Sequence, residues 1–446
     1  MMGGLEIGFF SVLLIVILIY AGLYIPVALG LVSFIGVWIM RENVQMPISL
    51  LAQAVSDAIA EQVFATIPLF AMMGLMVSKA GLGKDVYLVA NVMFGKVLGG
   101  LGIATVAANA VFASITGSSI ASASVFTKIS VPEMRRFNYT ARFSVGVVAG
   151  SSVLGMLIPP SAMLIIYAIV TEQSVGHMFM AGIIPGLILA AAYVGLILFL
   201  AKTWPSFVGG NALHRSLGAA AVDPATETDM TFAEMTRKLF PVLLLVFVVL
   251  GGIYGGIVTP VEAGAAGSFV AMLIAIARRS MSIRQLWEVV VETGHITATI
   301  LFLIITASMY SRMLGVAGLP TMFGEWLETM SLGFTAVMVI YVVLLLVLGT
   351  LLDTASIILI VVPLFLPVVE GLNADLVWFG IVTVVGAEIG LLTPPLGISC
   401  FAIKSTLNDP DISLADIFIG AFPFAVTMLL VLILLILFPS LSLVLI

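Results

Sequence analysis

The amino-acid sequence predicts an all-α protein that crosses a membrane many times and is built from two inverted halves. Three observations predict it: a very apolar composition, hydrophobic runs of bilayer length, and a pattern of Gly, Pro and polar positions that recurs at nearly one offset.

Of the 446 residues, 62% are hydrophobic and 9% charged, and the mean hydropathy is +1.27. A soluble domain is about 45–50% apolar and about 25% charged. One aqueous core cannot hide this much apolar surface, and a bilayer is the solvent that fits. The net charge of −6 is small for the length, and no basic run suggests nucleic acid. Cys400 is the only cysteine, which excludes an internal disulfide and a Cys-based metal cluster. His177, His214 and His295 lie far apart, with no ligand spacing between them. Residues 1–4 carry no Lys or Arg, so the charged start of a cleavable signal peptide is missing and the first apolar run is expected to stay as a membrane helix.

An apolar helix needs about 20 residues to cross a bilayer. The stretch Leu5 to Met40 is too long for one crossing, and Gly22 and Pro26 in its middle predict two spans with a tight turn. Further spans are expected near 63–79, 141–170, 178–201, 239–258, 261–277, 290–311, 376–403 and 414–438. The segment 85–97, with Lys84 and Lys96 at its ends, fits an interfacial helix. The apolar regions at about 101–131 and 333–369 differ from the rest. Gly117-Ser118-Ser119 interrupts the first and Asp353-Thr354 the second, so both are expected to be re-entrant hairpins.

The most polar segment, 202–238, holds Lys202, Arg215, Asp223, Glu227, Asp229, Glu234, Arg237 and Lys238. It divides the chain into a first repeat, 1–201, and a second, 239–446, and reads as their cytoplasmic linker. Ile158-Pro159-Pro160 matches Thr393-Pro394-Pro395 at an offset of 235, as does Pro132 with Pro367; Ser118-Ser119 then falls on Asp353-Thr354. Ala80-Gly81-Leu82 matches Ala317-Gly318-Leu319 at 237, and Pro185 matches Pro423 at 238. Tyr24-Ile25-Pro26-Val27 resembles Thr259-Pro260-Val261 nearby. Internal duplication of this kind is a hallmark of secondary transporters.

Lys and Arg concentrate in cytoplasmic loops. With the amino terminus outside, five crossings in the first half leave Lys79, Lys84, Lys96, Lys128, Arg135, Arg136, Arg142 and Lys202 inside. The odd number inverts the second half. Arg278, Arg279, Arg284 and Lys404 then also fall inside, and Arg312, near the outer end of a span, is the exception.

Polar backbone at membrane depth is tolerated only where protein or an aqueous cavity covers it. Thr116 to Ser124 at the first tip offers glycine for a turn and serine hydroxyls as hard oxygen donors for a small alkali cation. In Gly150 to Ser161 two adjacent prolines remove N–H donors and free carbonyls. The second half repeats the plan with Gly349 to Ser356 and Gly386 to Pro395, and Asp353 adds a carboxylate. A tip facing a broken helix at the midplane makes an ion cage. An ionisable group inside a membrane is by default a functional candidate. The alternative for each motif is close helix packing through small residues, or a simple proline kink. Glu262, Arg312 and Glu388 are the other charges expected at depth. Glu262 reads equally as a structural acid, snorkelling to the surface or paired with Arg312, or as a substrate group, and His295 reads as an interior residue rather than a proton relay.

Together these motifs resemble the large membrane subunit of tripartite ATP-independent periplasmic (TRAP) transporters. The resemblance rests on Gly117-Ser118-Ser119, Leu157-Ile158-Pro159-Pro160-Ser161, Thr259-Pro260-Val261-Glu262-Ala263, Gly349-Thr350-Leu351-Leu352-Asp353-Thr354 and Gly390-Leu391-Leu392-Thr393-Pro394-Pro395. They occur in the family's order over essentially the whole chain. Val261 departs from the polar residue of the family's Pro-x-Glu motif. The resemblance implies an elevator-type transporter of the bacterial inner membrane, with a periplasmic amino terminus. It implies sodium-coupled import of a small organic acid, a carboxylate or sialic-acid-like molecule, delivered by a periplasmic substrate-binding protein. A small four-helix membrane subunit is expected as a separate chain. No organic cofactor and no catalysis are expected.

Carried onto this sequence, one sodium site uses Gly117, Ser118 and Ser119 with Ser151, Ser152, Gly155 and Pro159. The other uses Gly349, Asp353 and Thr354 with Gly386, Thr393 and Pro394. The substrate lies between the tips, within reach of Ser122, Ser161 and Ser356, with Arg312 as the charged partner of an anion. The alternative is a stand-alone divalent-anion:sodium symporter that needs no binding protein. An intramembrane enzyme would need a catalytic pair that Asp353 and His295 do not form, and a channel would need a filter motif that is not seen.

Overall fold

The computed structural model describes residues 3–209, 230–329, 333–407 and 409–446. Among them every regular element is helical. A helix satisfies its own backbone, so an apolar chain in hydrocarbon must take this form. Seven helices of the described residues are long and apolar enough to cross a membrane, or eight with the bent pair Ala141–Leu157 and Ala162–Val170.

The first apolar run splits into Gly4–Tyr20 and Ile25–Arg41. Gly22 turns the chain at φ 91° and Pro26 sits in the first turn of the second helix, where a missing N–H costs nothing. The span expected at 63–79 is Thr66–Lys79, entered through the short turn Gln62–Ala65. Before it lies Gln45–Ala60, a helix that no apolar run announced: Ala54 and Ala58 are buried while Gln53 and Asp57 are exposed. The expected interfacial segment is Leu82–Phe94.

Past the polar segment, of which 210–229 with His214, Arg215, Asp223, Glu227 and Asp229 lies outside the described residues, the next helix begins at Phe232 rather than 239. Thr231 and Glu234 start it as a reciprocal capping box. The helix expected at 290–311 is the longer Ile283–Ala317, opened by Ser282 with Gln285 and stopped at Gly318. Leu319–Thr329, another helix not foreseen, follows.

The elements around the two interrupted regions repeat. Gly100–Thr116 and Ser119–Arg136 form the first hairpin, and Phe334–Gly349 and Thr354–Gly371 the second. Each is followed by a broken helix. In the first half this is Ala141–Ser152 with Leu154–Leu157, then Ala162–Val170; in the second it is Leu376–Gly390, then Ile398–Leu407. Val175–Thr203 and Leu414–Leu437 complete the units, with Pro185 and Pro423 inside them. The capping positions repeat as well. Ser118 and Asp353 cap the second limbs of the hairpins, Thr140 and Asp375 the broken helices, and Ser174 and Ser413 the final helices. Gly81 and Gly318 both stand at φ 75° before the equivalent short helices.

The halves pack crosswise. Ser119–Arg136 lies against Ile398–Leu407, and its counterpart Thr354–Gly371 against Ala162–Val170. Thr66–Lys79 lies against Pro260–Ala277, and Ile283–Ala317 against Ile25–Arg41. The broken helices are at the centre: every residue from Phe143 to Leu157 and from Val377 to Leu392 is buried. Around the expected inner face, Asp85 is buried between Arg278 and Lys238 and ties three helices together. By the same crossing count Arg41, in the last turn of Ile25–Arg41, falls outside, so two basic residues, not Arg312 alone, stand against the expected orientation.

Candidate functional site

Each hairpin tip is seated on the break of its own half. Gly117 turns the first tip at φ 57°, and a Cβ there would lie 2.8 Å from the Pro160 carbonyl oxygen. The Gly117 carbonyl accepts the Ala162 N–H at 3.5 Å, and a Cβ on Gly155 would stand 3.2 Å from the Ser118 carbonyl. In the second half the contact is closer. A Cβ on Gly390 would lie 2.4 Å from the Gly349 Cα, and one on Gly349 would lie 2.7 Å from the Ala387 carbonyl oxygen. The tips and breaks paired from the sequence are therefore in contact through backbone.

The oxygens at these contacts suit a hard cation. In the first half, Ser151 Oγ donates to Val147 O at 2.7 Å and Ser152 Oγ to Ala149 O at 2.8 Å, so both hydroxyl protons are committed inside the helix. Their lone pairs remain for a ligand, one of Ser151's being taken by Asn109 Nδ2 at 2.6 Å. Gly155 O loses its helical donor because residue 159 is proline, while Met156 O accepts the Ser161 hydroxyl at 2.5 Å. The Ser119 hydroxyl is fully buried beside the Glu388 carboxyl, and Asn109 Oδ1 is buried without a formed hydrogen bond. Buried polar atoms in a native fold are nearly always partnered, so the Asn109 oxygen is open to water or to a bound group.

In the second half Thr393 Oγ1 donates to Gly390 O at 2.9 Å. Thr354 Oγ1 donates to Glu388 Oε1 at 2.6 Å. Asp353 is half-buried and caps the second limb, accepting the Ser356 N–H at 3.3 Å together with the Ser356 hydroxyl. Gly386 lies a turn deeper, against Leu345. The breaks differ in cover: Pro159, Pro160 and Ser161 are buried, whereas Pro394, Pro395 and Leu396 are exposed.

Of the residues nominated for substrate, Ser122, Ser161 and Ser356 are all buried near the tips, and Ser122 Oγ has no hydrogen-bond partner. Arg312 stands elsewhere. It donates to Asp57 Oδ2 at 2.5 Å and to Gln53 Oε1 at 3.2 Å. It lines a cleft of about 1140 Å³ whose other charged residues are Asp57, Glu61, Glu172, Glu262 and Glu370. The cleft meets the second hairpin along Leu359 to Glu370, toward its base and away from the tip. Glu262 does not pair with Arg312. It closes a capping box, accepting the Thr259 N–H at 2.8 Å and the Thr259 hydroxyl at 2.9 Å, so it starts the helix Pro260–Ala277 while lining the cleft. Sequence reasoning missed Asn109, whose one signal was an amide in the middle of an apolar limb.

The chain matches a known family over most of its length. The profile of the "Tripartite ATP-independent periplasmic transporter, DctM component" covers residues 12–441. The "C4-dicarboxylate TRAP transporter large permease protein DctM" of Rhodobacter capsulatus is 31% identical over 96% of each chain. The "Sialic acid TRAP transporter large permease protein SiaM" of Vibrio cholerae is 27% identical over 96% of this chain and 95% of its own. The "Isethionate TRAP transporter permease protein DctMQ" of Oleidesulfovibrio alaskensis is 29% identical over 90% of this chain and 60% of that longer protein. These relatives are permease subunits, not enzymes. Among solved structures, the Alcanivorax borkumensis YdaH transporter superposes with a TM-score of 0.59 at 14% identity, over 90% of this chain and 89% of that one, a likeness of fold.

Proposed function

The chain belongs to the DctM-component family of TRAP transporter large permeases, and from that premise we propose that it imports a small organic acid anion by sodium-coupled symport. The substrate classes named for the relatives, a C4-dicarboxylate, a sialic acid and isethionate, share a compact anionic character. The observation that carries the reading is the duplicated seat of a hairpin tip on a proline break, lined by committed hydroxyls and orphaned buried oxygens. Sodium is held by such hard, neutral oxygens, and broken helices at mid-depth are where coupling ions bind in secondary transporters. Gly117, Ser118, Ser119, Ser151, Ser152, Gly155 and Pro159 would hold one ion, and Gly349, Asp353, Thr354, Gly386, Thr393 and Pro394 another. Bound sodium supplies the positive charge that lets an anion settle between the tips, near Ser122, Ser161 and Ser356.

The repeats of this reading are residues 1–201 and 239–446, joined by 202–238, and the two hairpins move with the broken helices as an elevator in the inner membrane. Arg312, in the acidic cleft, would meet the anion on its way to the tips, where the Asp57 carboxylate now occupies it. The family's tripartite description implies a periplasmic binding protein and a small membrane subunit. That the isethionate relative is a DctMQ protein with further sequence agrees with a closely associated second component.

Uptake in proteoliposomes tests this. The permease, with its small subunit, is given labelled organic acid preloaded on the binding protein under an inward sodium gradient. Uptake that requires both sodium and the binding protein is the expected result. Uptake without the binding protein would establish the stand-alone symporter instead, and uptake indifferent to sodium would overturn both tip sites.

A further inference from the structure

Glu388 places a carboxyl group inside the buried second broken helix. It is 1% exposed and projects from the second broken helix, two residues before Gly390 meets the second tip. One oxygen is held by the Thr354 hydroxyl of the second tip at 2.6 Å. The other, Oε2, has no formed hydrogen bond. The buried Ser119 hydroxyl of the first tip is a hydrogen-bonding neighbour of the same carboxyl. Asp353 is the charged neighbour, and its sign is the same. Among the described residues Glu388 takes part in no ion pair.

A buried carboxylate without a counter-charge is among the costliest groups a fold can hold, several kcal/mol even after relaxation. Such a group must hold either a proton or a positive partner, and among the described residues no side chain supplies the latter. We propose that Glu388 is a sodium ligand shared by the two tips, binding the ion between Ser119 of the first hairpin and Thr354 of the second. This rests on the sodium-coupled reading above and adds to it a charged ligand. The tip sites drawn from the motifs are each confined to one half and made mostly of neutral oxygens. Glu388 joins them, because its carboxyl bonds Thr354 of the second tip and has Ser119 of the first tip as a neighbour. An ion there would compensate a carboxyl charge and draw oxygens from both tips into one coordination shell. It also locks both tips to one helix, so that sodium binding stiffens the whole site before the anion enters.

The test reads sodium binding directly. The permease with its small subunit, purified in detergent, is titrated with sodium chloride at constant ionic strength held by choline chloride, and the melting temperature is followed; sodium-22 binding is measured in parallel. The wild type is expected to gain stability with sodium. Glu388→Gln keeps an amide oxygen for Thr354 but removes the charge, and its sodium midpoint is expected to rise at least about tenfold, which is about 1.4 kcal/mol. Glu388→Asp keeps the charge but withdraws it by one methylene, and a smaller rise in the same direction is expected. A sodium-responsive wild type with an unchanged midpoint in either variant overturns the role of Glu388 and leaves the tip sites standing. A wild type that responds to sodium no more than to choline overturns the sodium reading itself, and this inference with it.

Discussion

At the scale of single residues, the sharpest question is which of its two tasks makes Asp353 matter. Its carboxylate caps the helix Thr354–Gly371, bonding the Ser356 N–H, and Ser118 caps the equivalent helix of the first half with a neutral hydroxyl. The cap alone therefore does not require a charge. Asparagine caps about as well as aspartate, whereas alanine in place of a good cap costs about 1 kcal/mol. Asp353→Asn is thus expected to leave the melting temperature in choline within about 1 °C of wild type and to weaken the stabilisation by sodium. Asp353→Ala should lose both. Thermal melts of the two variants with and without sodium check this; an Asp353→Asn protein with the full sodium response would reduce the residue to a cap. The motif singled out this position but not the capping role, because a carboxylate at a hairpin tip is equally placed for either.

At the scale of elements, the site depends on backbones that touch. The second tip meets its broken helix at Gly349 and Gly390, and no side chain intervenes that could yield. Gly390→Ala would set a methyl 2.4 Å from the Gly349 Cα, so the tip must lift from its seat. The expected cost is about 1–3 kcal/mol of overpacking, with loss of uptake. Gly195 is the control: it lies on the outer face of Val175–Thr203 with nothing within 4 Å of a Cβ, and Gly195→Ala should leave both melting temperature and uptake nearly unchanged. The glycines, prolines and their offsets were visible in the sequence, and so were both hairpins, because interrupted hydrophobicity has only a few solutions in a membrane. Gln45–Ala60 and Leu319–Thr329 were not, since neither carries a bilayer-length apolar run. The partner of Arg312 was hidden with them: Asp57 is 255 residues away, on the unforeseen helix Gln45–Ala60.

At the scale of the whole molecule, the crosswise packing makes the halves one folding unit despite their duplicated plan. The second limb of each hairpin packs also on the broken helix of the other half, Leu414–Leu437 lies along Ala141–Ser152, and Tyr167 donates to Leu376 O at 2.6 Å across the same boundary. Glu388 extends the crossing into the candidate ion site, where Thr354 and Ser119 come from opposite halves. Neither half can therefore bury its broken helix, with its unpaired carbonyls and hydroxyls, by itself. In hydrocarbon each such exposed group costs several kcal/mol, so a lone half has no stable state to occupy. A break placed in the chain between residues 210 and 229 removes none of these contacts. Two fragments ending and beginning there, expressed together, are expected to co-purify and to retain sodium-dependent uptake, while either alone should be degraded or aggregate. If one fragment alone accumulated as a monodisperse protein in detergent, the halves would be autonomous domains, and the shared site argued from their crossing would lose its structural basis.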